Sequence, residues 1–225
     1  MKLAIPALVA AALAAAAVAT TDARACGFFD YREVRPVRVK PVPVAANDRI
    51  AAADQRLDEE KLAAAGQEVV LAFPAIRGVA VGASPLETHA LRVLALAVVR
   101  ADGVLPGVAG FSGTGPKAHD ANLAWAVGTL RAIEGQRDED PLAIADLSEA
   151  MAHSPAFENE AFTTLSDLAA RDLVGSPHAY AALARMRAAH GDATGAVDAL
   201  GRCEHMTRVP AAVCKAPDGR LALGD

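Results

Sequence analysis

Apolar residues recur at helical spacing through most of the chain. Leu123, Val127, Leu130 and Ile133 share one face, Ile144, Leu147 and Met151 the next, and Phe157, Ala161, Leu165 and Leu168 a third. Leu86 to Val99 is apolar on nearly every side, broken only by Glu87, Thr88, His89 and Arg92. It is too short to span a bilayer and holds an arginine, so it reads as the buried centre of a helical array. Start signals fall between these runs. Ser84-Pro85, Asp140-Pro141, Ser154-Pro155 and Ser176-Pro177 each set a capping side chain before a proline whose missing N–H costs nothing at a first helical position. Glu87, three residues after Ser84, completes a capping box. The expected fold is all-α.

The ends depart from this pattern. Lys2, the apolar run Leu3 to Val18 and the small-residue ending Ala23-Arg24-Ala25 read as a secretory signal peptide over residues 1–25. Residues 26–46 form an extended arm rich in Pro, Val and Arg, since prolines at 36, 41 and 43 forbid a helix. The arm reads as a tether, or as a basic, aromatic segment that touches membrane or peptidoglycan. Residues 207–225 read as an irregular tail. Between Gly103 and His119 a glycine-rich stretch interrupts the helices; it is either disordered or functional, and the sequence leaves both open.

The clearest pair of helices runs from Pro177 to Cys203 around a Gly191-Asp192 turn. Tyr180, Leu183 and Ala184 on its first helix, and Ala196, Leu200 and Cys203 on its second, resemble the large and small positions of a tetratricopeptide repeat. Ala143, Leu147 and Ala150 resemble the second-helix spacing of that family, as do Ala65, Val69 and Ala72, with Ile50 to Leu57 as a first helix before the latter. The segments Asn122 to Ala150 and Asp167 to Arg187 are similar to exported tetratricopeptide proteins of myxobacteria. The resemblance implies a short right-handed TPR-like array of antiparallel helical hairpins, an α-solenoid, over residues 47–206. On this register Phe157 to Leu173 is an extra helix that breaks the alternation. The family lines its concave surface with first helices and binds protein or peptide segments there, so the resemblance implies a groove at His178, Ala181, Arg185 and Ala188.

Composition narrows the setting. The chain is rich in Ala and only 4% aromatic, with one Trp, which favours close helix-on-helix contact over a sheet sandwich. Its Ala, Arg, Gly and Val usage suits a bacterium with GC-rich DNA, and the expected location is the periplasm or envelope of a Gram-negative cell. Removing Lys2, Asp22 and Arg24 with the signal peptide leaves 20 basic against 26 acidic residues, a formal charge of −6, which gives no support to a nucleic-acid partner. After export, two of Cys26, Cys203 and Cys214 are expected to pair. Cys203 and Cys214, close in sequence, would staple the tail to the last helix. Cys26 follows the cleavage site directly, so lipidation there is the alternative that would add membrane anchoring, although Ala23-Arg24-Ala25 fits ordinary signal peptidase better.

Catalytic patterns fail on particular residues. Gly110 to Lys117 lacks the phosphate-loop order, because Pro116 precedes Lys117 and Ala118 follows it. Ser112 has Gly110 before it but Thr114 where a nucleophile elbow needs glycine. Cys203, His205 and Cys214 are three ligands where structural zinc takes four. The run Asp138-Glu139-Asp140 is a helix start favoured by the helix dipole. The expectation is a non-enzymatic interaction scaffold without cofactor or metal, the alternative a structural lipoprotein held through Cys26.

Overall fold

The computed structural model describes residues 45–137, 139–206 and 213–215. The expected signal peptide, Cys26, nearly all of the expected arm at 26–46 and most of the expected tail at 207–225 lie outside the described residues. Those described contain eight α-helices and no strand: α1 (Ala46–Asp58), α2 (Leu62–Ala72), α3 (Pro85–Arg100), α4 (Pro116–Glu134), α5 (Pro141–Met151), α6 (Glu158–Ala170), α7 (Pro177–Ala189) and α8 (Ala193–Met206), with a 3₁₀ turn at Ile76–Gly78. None of these helices is long and apolar enough to cross a membrane.

Three of the four proline starts act as helix caps. The Ser84 hydroxyl accepts from Glu87 N–H at 3.1 Å, Asp140 accepts from Leu142 N–H at 3.0 Å, and Ser176 accepts from Ala179 N–H at 3.4 Å. Ser154-Pro155 instead opens a turn, and α6 begins after Phe157 without a side-chain cap. Pro116 supplies a further proline start behind Gly115, so 116–119 belong to α4 and not to the glycine-rich loop.

Helices end by a repeated device. After α1, α3, α6 and α7 the chain enters the left-handed region at Glu60, Asp102, Asp172 and Gly191. The following N–H then bonds five residues back: Lys61 to Arg56, Gly103 to Val98, Leu173 to Leu168 and Asp192 to Arg187. This closure satisfies carbonyls that a helix end leaves open.

Each helix packs on its neighbours in the chain, and α1 also meets α3, α3 meets α5, and α5 meets α7. The odd-numbered helices therefore form one layer, and no comparable contact joins α2, α4, α6 and α8 among the described residues. This packing is compatible with a solenoid. It also corrects the expected register: α6 takes the same place between α5 and α7 that α4 takes between α3 and α5, so it interrupts nothing. Ala143, Leu147 and Ala150 belong to an odd helix, because small and large residues at that spacing suit either partner of a helix pair.

Helix α3 is the centre of the fold. It touches α1, α2, α4, α5 and the 3₁₀ turn, which is why every residue from Val93 to Val99 is buried. The glycine-rich loop is ordered and part of this core. Leu105, Val108 and Phe111 are at most 1% exposed, and the loop closes on itself through Leu105 N–H to Phe111 O at 2.9 Å. Gly66 on α2 makes room for it, since a Cβ there would lie 3.0 Å from Leu105 Cδ1. Arg77 locks the loop from outside, with its guanidinium 4.4 Å from the Phe111 ring centroid and hydrogen bonds to Gly110 O and Asn122 Oδ1. Trp125 meets the same phenyl ring edge-on at 4.8 Å.

Candidate functional site

The odd-numbered layer carries polar side chains where a core would be apolar. Arg92 and Arg100 come from α3, Asp146 and Glu149 from α5. Arg92 Nε donates to Asp146 Oδ2 at 2.6 Å. Arg100 donates twice to Glu149, from Nε at 2.9 Å and Nη2 at 3.4 Å. Both carboxylate side chains are 2% exposed. Spacings of eight on α3 and three on α5 bring each pair of like charges to one side of its helix, so the four groups clasp the two helices.

The two carboxyls respond to similar burial in opposite directions. Burial raises the Asp146 pKa, against the hydrogen bond and charge of Arg92 and with help from Glu149. Burial works the same way on Glu149, but it is outweighed by the charges of Arg100 and His178 and by hydrogen bonds from Arg100 and Ser176, which hold its pKa below the ordinary value. The cationic charge beside Glu149 first, and its additional donors second, decide the sign. Ser176 thus both caps α7 and donates to Glu149 Oε2 at 3.2 Å, joining α7 to the clasp. Asp146 Oδ1 is buried and has no hydrogen-bond partner among the described residues.

Two cavities open along this layer. The first, of about 330 Å³, lies among α1, α3, α5 and the start of α7 and is lined by Asp54, His89, Arg92 and Asp146 among others. The second, of about 400 Å³, is lined by Glu149, His153, Ala181, Arg185 and Val213. Glu60, Arg100 and His178 border both. Glu60, at the left-handed turn after α1, reaches the α7 residue His178 at 2.8 Å, and His89 meets Asp54 at the same distance. The cleft is thereby bounded by the first and the last odd helix.

The residues that the family resemblance points to divide here. His178, Ala181 and Arg185 line the second cavity; Ala188 lies on α7 beyond the lining. Arg185 is exposed and makes no hydrogen bond or ion pair among the described residues. Its charge is still felt: burial first, and Arg185 second, push the His153 pKa down, against Glu149 and Asp102. Cys203 and Cys214 form a disulfide with 5.7 Å between Cα atoms, both residues buried, and this holds Val213 at the cavity wall. Among the described residues no group of three or more His, Cys, Asp or Glu side chains is placed to hold a metal ion.

Sequence reasoning missed Arg92, Arg100, Asp146 and Glu149. A signal was present in two arginines on a helix that is otherwise apolar after His89 and in two acids on another, but nothing local pairs residues 54 and 49 positions apart. No protein-family model matches this chain, and neither a curated protein nor a solved structure matches it.

Proposed function

We propose that this protein is a non-enzymatic, extracytoplasmic interaction scaffold of the bacterial cell envelope, built as a short TPR-like array whose odd-helix face receives a segment of a protein partner. The observation that carries this reading is Arg185: a guanidinium in the wall of a charged cleft on a continuous helical layer, with no partner of its own among the described residues. An unpaired cation beside polarised, partly buried groups favours a carboxylate on an incoming chain. The disulfide supports an oxidising compartment, as the apolar run and Ala23-Arg24-Ala25 support export.

The test uses the chain from Cys26 to Asp225 as bait in cross-linked envelope extract, with mass spectrometry of captured proteins and of the bait's first peptide. A dominant partner whose affinity falls roughly tenfold or more with Arg185→Glu supports the scaffold. Lipid on Cys26 with no partner favours a structural lipoprotein anchored there. A partner held equally by Arg185→Glu contradicts the groove.

A further inference from the structure

Nearly every charged group along the odd-numbered layer is answered from within the protein. In the first cavity Asp54 is met by His89, and Arg92 by Asp146. Arg100 with Glu149, and Glu60 with His178, stand at the border of the two cavities. In the second, His153 Nδ1 lies 3.7 Å from Asp102 Oδ1. Two groups remain. Asp58 lines the first cavity and Arg185 the second; both residues are exposed, and the side chain of neither has a hydrogen bond or ion pair among the described residues. They are opposite in sign, and a ligand reaches both without displacing an internal partner.

Their positions say what each favours. Asp58 is the last residue of α1, at the negative end of the helix dipole, where a carboxylate is disfavoured and an incoming cation is favoured by side chain and helix end together. The nearby cations Arg56 and Lys61 pair with Glu59 and not with Asp58. Arg185, on α7, offers a guanidinium whose fork suits a carboxylate. Leu142, 38% exposed, adds an open apolar side chain to the lining of the first cavity. A small molecule in either cavity would answer only one of the two charges. A chain segment running along the layer answers both.

We propose that the cleft takes a partner segment that carries both charges: a lysine or arginine beside an apolar residue, seated at Asp58 and Leu142, and an aspartate or glutamate seated at Arg185. This rests on the scaffold reading and adds to it the partner's chemistry and the order of its charges along the layer. A wholly acidic segment would be repelled at Asp58 and a wholly basic one at Arg185, so the two unpaired groups select against both.

Fluorescence anisotropy at pH 7 tests it, with the oxidised chain from Cys26 to Asp225 and a set of labelled peptides blocked at both ends. Each places one Lys, one Leu and one Glu on an alanine background, at varied spacing and in either order. The best binder should weaken roughly threefold or more when its Lys or its Glu becomes Ala, and its affinity should fall as salt rises. Exchange of charge gives a readout that a merely structural role would not move. Asp58→Lys, with its fold checked by circular dichroism, should weaken that peptide roughly tenfold or more and prefer the one with Glu in place of Lys; Arg185→Glu should prefer the one with Lys in place of Glu. Dependence on Arg185 without Asp58 overturns the two-charge segment and leaves the scaffold reading standing, whereas dependence on neither ends both. Binding by no member of the set overturns the segment as well. So does self-association in sedimentation that Asp58→Lys abolishes, which would mean that a second copy fills the cleft.

Discussion

Glu149 shows how one buried group ties three helices together. It takes two hydrogen bonds from Arg100 on α3 and one from Ser176 at the start of α7, while sitting on α5. Glu149→Ala strands a guanidinium that is itself almost buried, so urea unfolding should show a loss of about 3–5 kcal/mol. A loss below about 1 kcal/mol would mean that the clasp is dispensable. His153 contributes one part of the pH dependence. Its pKa is lowered from 6.5 in the folded state by burial and then by Arg185, so the unfolded chain takes up its proton first as pH falls. The stabilisation is complete above 6.5 and declines as pH drops from there through the folded value. Arg185→Gln should move the His153 titration, followed by its ring-proton resonances, upward toward 6.5; no movement would detach Arg185 from that site. At this scale the caps at Ser84, Asp140 and Ser176 were legible, because a capping side chain needs only its own next three residues. The left-handed turns at Glu60, Asp102 and Asp172 were not, since acids occupy places where glycine is the usual signal.

Helical elements were legible from their apolar spacing, and the all-helical character follows from it. The glycine-rich loop was not. Its glycines read as looseness, yet Gly103, Gly107 and Gly110 adopt positive φ so that the three apolar residues among them turn inward. Leu105, Val108 and Phe111 are too few to show a period, and their partners on α2 and α4 are distant in sequence. Phe111 is the anchor, held between Arg77 and Trp125. Phe111→Ala should cost about 3–5 kcal/mol in thermal or urea unfolding, as for a large core aromatic. A cost under about 1 kcal/mol would return the loop to a passive connector. The register of hairpins was misjudged for a related reason: α5 and α6 carry patterns that fit either place in a pair, and only the contact of α5 with α3 and α7 assigns it to the odd layer.

For the whole molecule, the odd-numbered layer and its cleft join the fold to the proposed role. The layer needs its last hairpin in place, and the Cys203–Cys214 bridge fixes the chain beyond α8 to that hairpin over a separation of 11 residues. Reduction should lower stability by about 2–3 kcal/mol, the loop-entropy scale for a ring of that size, with helical circular dichroism retained under native conditions. Unchanged stability on reduction would show that the bridge constrains nothing. The cleft's charged residues were illegible in the sequence because they are brought together from α1, α3, α5 and α7, and only its α7 edge was visible through the repeat pattern. The most direct test of the scaffold account places a photo-cross-linking residue at Ala181, in the cleft, and separately at Val197, 44% exposed on α8. In envelope extract, Ala181 should trap one partner segment that Val197 does not, and Arg185→Glu should abolish the trap. Trapping from Val197 alone, or equally from both positions, would contradict a binding face on the odd-numbered helices.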